Sequence, residues 1–283
     1  AGEILRTSRH EKARIVTAGQ GATTTLSTRP RILLTNDDSH DSPLFHYTIA
    51  ALEQLGDLDV VVPAEEQSWK GKAMTRVGAI YADQIDLHGT KAWSVTGTPA
   101  DCVNLAIHNL LDVRPDIVVS GTNIGKNIGI GFIFASGTVG ACFEANIARI
   151  PALALSQELA PEQFQQWMEN REFLPGTEAQ LRELLGHLIP LVWQQFYRAE
   201  DTPATTWNVN FPAKARDDIA IVHSRIGHTY YDQCFQRKGD QYHHNLKSAL
   251  IDDAPDTDDV VVRGGNVSAT EIDMRVLGQR IGR

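Results

Sequence analysis

Four short apolar runs recur along this chain: Arg31–Thr35 (RILLT), Leu58–Pro63 (LDVVVP), Asp116–Ser120 (DIVVS) and Pro151–Ser156 (PALALS). Each has strand length and lacks the polar alternation of a half-exposed strand, so each reads as a strand covered on both faces. Helical segments lie between them. SPLFHYTIAALEQLG places Ser42 at the N-cap and Pro43 at the first helical position, with Gly56 beyond the end; Leu44, Ala51, Leu52 and Leu55 share one face. Thr98, Pro99 and Asp101 form a capping arrangement that opens a second helix, TPADCVNLAIHNLL, and a third is expected from about Thr138 to Ala148. This β-α-β-α order predicts an α/β fold with a mostly parallel sheet and helices on both faces.

The rest of the chain is patterned less strongly. Residues 1–30 are rich in Thr, Ser and Arg, carry no apolar signal-like core, and read as a flexible extension. Val77–Thr96 alternates irregularly, as a hairpin or small excursion would. After Gln157 come a polar stretch compatible with helix, an amphipathic helix from about Glu178 to Arg198, and the strand-like TTWNVNF. Beyond Ala220 the segments are β-rich and turn-rich. Residues 200–283 are therefore expected to be a smaller appendage to the domain that starts at residue 31, not a separately folding unit. No apolar run approaches the roughly 20 residues of a membrane span. A formal net charge of -9 argues against coating a nucleic-acid polymer, which rests on clustered Lys and Arg. Cys102, Cys142 and Cys234 are odd in number and widely spaced, which favours free thiols in a reducing, cytoplasmic compartment.

Three polar clusters follow predicted strands: TNDD (Thr35–Asp38), EEQS (Glu65–Ser68) and SGTN (Ser120–Asn123). In open parallel sheets ligands sit outside the carboxyl ends of the strands, and right-handed crossovers bring all three clusters to that edge. Their carboxylates, hydroxyl and carboxamide are oxygen donors suited to a hard divalent cation, Mg²⁺ or Mn²⁺. The Asp37–Asp38 pair alone is read equally well as a turn signal with a helix-capping carboxylate. Ser136, Gly137 and Thr138 stand at a helix start, either an anion site or an ordinary N-cap. A cation site and an anion site on one edge are what phosphate-ester hydrolysis requires. The dinucleotide G-x-G-x-x-G fails, because position 134 after Gly129 and Gly131 is Phe; the G-x-S-x-G and G-x-x-x-x-G-K-[ST] motifs do not occur. His40 and His46 lie near the acidic pair, as proton-transfer candidates or solvated surface residues; His243–His244 is a weak metal signal.

RILLTNDD, GTPADCV (Gly97–Val103), PDIVVSGTNIGKNIG (Pro115–Gly129), SGTVGA (Ser136–Ala141) and PALALS, in this order, resemble the SurE family of survival proteins, metal-dependent 5'/3'-nucleotidases. WNVNFP and PDTDD match later family elements more weakly. The resemblance implies that Asp37, Asp38, Ser68 and Asn123 hold the divalent metal, that Asn127 and the Ser136–Gly137–Thr138 turn face the phosphate, and that Asp37 and Asp38 act in catalysis. It also implies a Rossmann-like core, a β-rich extension that builds homodimers or homotetramers, and a nucleoside monophosphate or other small phosphate ester as substrate. A broad phosphatase or exopolyphosphatase, and a non-catalytic nucleotide or metal sensor, are the alternatives. Several positions depart from the family pattern: Ser39 and Trp69 replace glycines, Leu44 stands in the usual A-P-G, and Ala135 replaces a tyrosine. Trp69 with Phe132 and Phe134 would make an altered base-stacking wall.

Overall fold

A computed structural model describes residues 29–198, 202–247 and 249–279. Of the expected extension over residues 1–30, all but Arg29 and Pro30 lies outside the described residues.

The expected alternation is present: β1 (Arg31–Thr35), α1 (Pro43–Leu52), β2 (Asp57–Pro63), a β3 (Ala82–Leu87) and β4 (Thr90–Val95) hairpin, α2 (Pro99–Leu105), β5 (Ile117–Ile124), α3 (Gly129–Ala135), α4 (Gly137–Ile147) and β6 (Ala152–Gln157). The hairpin turns at His88 and Gly89, both at positive φ (55° and 97°), the backbone a two-residue type I′ turn demands. α5 (Pro161–Asn170), α6 (Thr177–Phe196) and β7 (Thr206–Phe211) follow. Then come β8 (Ile221–His223), β9 (Tyr230–Tyr231), β10 (Phe235–Lys238), β11 (Gln241–His244), β12 (Ala249–Leu250), α7 (Asp258–Arg263) and β13 (Val267–Ile272).

Among the described residues, nine strands form one sheet in the order β3-β4-β2-β1-β5-β6-β7-β13-β8. From β4 to β7 every pairing is parallel, while β3–β4 and β7–β13 are antiparallel. β10–β11 and β9–β12 are small antiparallel pairs outside it. The continuous apolar runs are explained by cover on both faces. Alternation along β1 sends Ile32 and Leu34 to the face packed by Phe45 and Leu52 of α1 and Leu185, Leu188 and Val192 of α6. It sends Leu33 to the face packed by Cys102 and Val103 of α2 and Val139 and Cys142 of α4. Each such side chain contributes roughly 1.5–3 kcal/mol by leaving water. Burial pushes the thiols of Cys102 and Cys142 well up, so both behave as small core residues.

Three elements differ from the sequence-based expectation. SGTN is not a loop after β5 but its last strand residues, because β6 continues alongside and pairs Asn123 with Ser156 and Ile124 with Gln157. Only glycine fits at 121, where φ is 122° and a Cβ would stand 2.2 Å from the Leu155 carbonyl oxygen. The Gly-rich segment after β5 contains the short helix α3, and the turn-rich C-terminal part contains α7, capped by Thr257. No single helix among the described residues is long and apolar enough to cross a membrane.

Candidate functional site

β1 is the strand from which the chain first moves to one side of the sheet, to β2, and later to the other, to β5. The crevice at such a switch point is where α/β sheets bind ligands. Asp37 and Asp38 leave β1 at this crevice and divide its two walls. The Thr138 hydroxyl, in the first turn of α4, donates to Asp37 Oδ1 at 2.7 Å. The Ile124 amide, at the end of β5, donates to Asp38 Oδ2 at 2.8 Å. Among the described residues, Asp37 Oδ2 and Asp38 Oδ1 receive no side-chain hydrogen bond.

Both carboxyls are pushed up from the ordinary carboxylate range. For Asp37 the main cause is burial, opposed by the Thr138 hydroxyl; for Asp38 it is burial followed by the charge of Asp37. Glu66 adds negative charge against both, and Arg171, paired with Glu66 at 2.7 Å, partly offsets it at Asp38. This is a pair of like charges, one buried and one partly exposed, short of positive charge.

The other predicted residues are drawn to the same place by different routes. The Gln67 amide donates to the Asp37 carbonyl (2.7 Å) and the Gly71 amide to the Ala135 carbonyl (2.9 Å), so the loop carrying Ser68 is braced to the Asp pair and to the start of α4. The exposed Ser68 hydroxyl itself donates to Glu66 Oε1 at 2.7 Å. Asn123 turns its amide to the Gly125 carbonyl at 2.7 Å, leaving its carbonyl oxygen unengaged. Asn127 Nδ2 donates to Ser156 Oγ (2.9 Å) and Thr138 Oγ1 (3.3 Å), so its side chain orients Thr138 and, through it, Asp37. Ser136 caps α4 by accepting from the Val139 amide at 3.1 Å. Gly137 sits so close that a Cβ there would stand 2.9 Å from Asp37 Oδ2.

His46 stacks edgewise on His88, with ring centroids 5.0 Å apart, and burial lowers its pKa. His244 packs on Trp69, with ring centroids 4.8 Å apart.

Several supporting residues carried little sequence signal. Asn208 and Asn210, alternate residues on β7, clamp the Asn127 peptide: both side-chain amides donate to its carbonyl, and Asn210 Oδ1 accepts from its amide at 2.8 Å. Asp258 accepts from the Gly129 and Gly227 amides at 2.7 and 3.0 Å. Lys126 is held between Glu158 and Asp259 at 2.6 and 2.8 Å. Asp101, the capping residue of α2, also accepts from the Thr75 amide and hydroxyl and so pins the far end of the Ser68 loop.

The family profile described as "Survival protein SurE" matches residues 32–233, well over half of the chain. The chain belongs to the SurE family. A protein named 5'-nucleotidase SurE from Methanocella arvoryzae is 30% identical over 260 residues, covering 89% of this chain and 95% of that protein. One of the same name from Syntrophobacter fumaroxidans is 34% identical over 249 residues, covering 86% and 92%. The crystal structure of the SurE protein from Aquifex aeolicus superposes with a TM-score of 0.63 at 26% identity, over 87% of this chain and 94% of that one.

Ser39 and Trp69, at positions where the resemblance implies glycine, both adopt the left-handed conformation that glycine favours, with φ of 67° and 62°. Ser39 is held there because its carbonyl accepts from buried Asn36 Nδ2 at 2.7 Å. The left-handed penalty of about 1–2 kcal/mol is partly offset by the greater unfolded-state freedom of glycine, about 0.5–1 kcal/mol. Ser39→Gly should therefore stabilise the chain by no more than about 1 kcal/mol, read as the change in urea midpoint; a larger gain would show that the loop is distorted by its serine.

Proposed function

We propose that this SurE protein is a divalent-metal-dependent nucleotidase that hydrolyses nucleoside 5'- and 3'-monophosphates to nucleoside and phosphate. The observation that carries this is the Asp37–Asp38 pair at the sheet's switch point, Asp37 buried and Asp38 partly exposed, facing the start of α4, with one oxygen on each carboxylate free of side-chain hydrogen bonds. The names of the relatives support the 5'-nucleotidase part.

The donor set fits a hard cation. Among the described residues no three His, Cys, Asp or Glu side chains gather into a metal-holding group, so neutral oxygens complete the set. Asp37 Oδ2 and Asp38 Oδ1, the Asn123 carbonyl and the Ser68 hydroxyl are the oxygens that would hold Mg²⁺ or Mn²⁺. A bound divalent cation supplies charge neutralisation and Lewis-acid polarisation of the substrate phosphate. Asp38, which faces the same crevice, would accept the proton of the attacking water as the water oxygen bonds phosphorus and the ester P–O bond breaks, and that proton would pass to the departing nucleoside oxygen. Asp37 is kept in place by Thr138, itself oriented by Asn127. The first-turn amides of α4 at Gly137 and Thr138, with the helix dipole, stabilise charge on the phosphoryl oxygens. The SurE membership and the exposed Leu250, Ile251 and Leu277 of the C-terminal segments support a homodimer or homotetramer.

The test is phosphate release from 5'-AMP, 3'-AMP and tripolyphosphate with Mn²⁺ or Mg²⁺. Release from both nucleotides that stops on chelation is the expected result. Turnover that survives chelation and Asp37→Asn would overturn the mechanism, and preference for tripolyphosphate would make the protein an exopolyphosphatase.

A further inference from the structure

Trp69 adjoins Ser68 and lies on the loop braced to both Asp37 and the start of α4. Its indole is the centre of an aromatic cluster drawn from three further parts of the chain. Phe132 of α3 lies 5.9 Å away between ring centroids, Tyr231 of β9 5.1 Å and His244 of β11 4.8 Å. Phe132 and Tyr231 also meet, at 5.6 Å. The strands reach the site because the segment before β9 is tied to α3: Ile130 and Gly131 donate to the carbonyls of Gly227 and Thr229, both at 3.0 Å.

The cluster is not a closed piece of core. Trp69 is 41% exposed and Tyr231 37%, whereas the structural tryptophans 167 and 193 are each 8% exposed. Nor does the backbone require the ring. At φ of 62° glycine is the comfortable residue. A large, rigid aromatic surface is thus held open at the rim of a phosphate-handling crevice, in a conformation that favours the smallest side chain.

We propose that Trp69, with Phe132, Tyr231 and His244, forms the wall on which the base of the nucleotide stacks, making this cluster the specificity-determining surface of the active site. The proposal rests on the nucleotidase reading for its substrate, a flat heteroaromatic base joined through a sugar to the phosphate held at Asp37 and Asp38. Stacking on an aromatic ring tolerates every base, because each presents a π face, so the wall selects for a base over none and discriminates weakly among bases.

Two measurements test it. In the first, kcat/KM is determined for 5'-AMP and for ribose 5-phosphate, which lacks a base, in the wild type and in Trp69→Gly, Trp69→Phe and Tyr231→Ser. Glycine removes the ring while suiting the backbone. The expected result is a fall of roughly 10- to 100-fold in the AMP to ribose 5-phosphate ratio in Trp69→Gly, a smaller fall in Tyr231→Ser, and substantial recovery in Trp69→Phe. In the second, adenosine, which carries no phosphate, is titrated against tryptophan emission; saturable quenching in the wild type should disappear in Trp69→Phe. An unchanged ratio together with absent quenching overturns the wall while leaving the nucleotidase reading intact. Quenching without phosphate release from either ester rejects the nucleotidase reading while the base-binding wall stands. A loss of melting temperature in Trp69→Gly and Tyr231→Ser with an unaltered ratio would show that the rings only dock the C-terminal strands, and would also overturn the proposal.

Discussion

Asp38→Asn should lower phosphate release at least about 100-fold and, in the same protein without metal, raise the melting temperature at neutral pH. On the proposed mechanism the variant lacks an anionic ligand oxygen and the proton acceptor together; even an outer residue that merely supports a metal ligand typically contributes 10- to 100-fold. The stability gain follows from the direction of the Asp38 shift. Its carboxyl is raised by burial first and by the charge of Asp37 second. A folded-state pKa raised above the unfolded value means that the folded chain binds the proton more tightly. The stability linked to that proton is full below the ordinary carboxylate range and is lost as pH rises through the folded-state value. Metal-free wild type should therefore lose melting temperature as pH rises above the ordinary carboxylate range, and Asp38→Asn should lose less. Mn²⁺ should restore the wild type, by about 2.7 kcal/mol at 100 times its dissociation constant, and leave the variant nearly unmoved. Melts across that pH range, with and without Mn²⁺, check both parts. Equal pH slopes, or a Mn²⁺ shift as large in the variant, would show that the pair is an ordinary turn with a capped carboxylate.

The parts of this site that were legible in the sequence are those fixed by local chemistry. Uninterrupted apolar runs announce strands covered on both faces, and S-P and T-P-A-D announce helix starts; both helices begin where expected. Only the second uses its cap chemistry in full, since the Ser42 hydroxyl makes no capping bond. Topology then brings TNDD and the end of β5 to one crevice. Less legible were contacts whose reason lies in register. Asn208 and Asn210 read as polar residues in a strand-like stretch; they clamp Asn127 because β7 pairs in parallel with β6 and turns alternate side chains toward the same loop. SGTN read as a loop because Gly and Asn usually end strands, whereas continued pairing with β6 keeps it in the sheet. Arg171 gives no local sign of reaching Glu66, because it stands at the left-handed end of α5, far away in the chain. Serine and tryptophan are poorly suited to positive φ. At Ser39 and Trp69 the left-handed backbone is retained nonetheless, so what changes is the side chain set on the loop rather than its course.

Asp258→Ala should be the most destabilising single change at the periphery of the site, at about 3–5 kcal/mol. The carboxylate is fully buried and accepts three amides: Gly129 at 2.7 Å, Gly227 at 3.0 Å and Asp259 at 3.0 Å. Alanine leaves all three donors in a space that water enters poorly, and each unsatisfied buried group costs about 1–3 kcal/mol before relaxation. At this chain length the expected fall in melting temperature is roughly 10 °C. Asp258→Asn keeps one carbonyl oxygen but sets an amide group against a backbone N–H, so its loss should be intermediate. The consequence for function follows from where the first two amides lie. Gly129 follows the Asn127 loop, and Gly227 begins the segment that docks α3 and leads into β9, so one carboxylate ties the C-terminal strands to the loop that orients Thr138. In the folded fraction of Asp258→Asn the fall should be seen in kcat/KM for AMP, while Asp37 and Asp38 retain their Mn²⁺-dependent gain in melting temperature. Loss of the Mn²⁺ response along with activity would place Asp258 in the cation site itself and refute its role as a positioning residue.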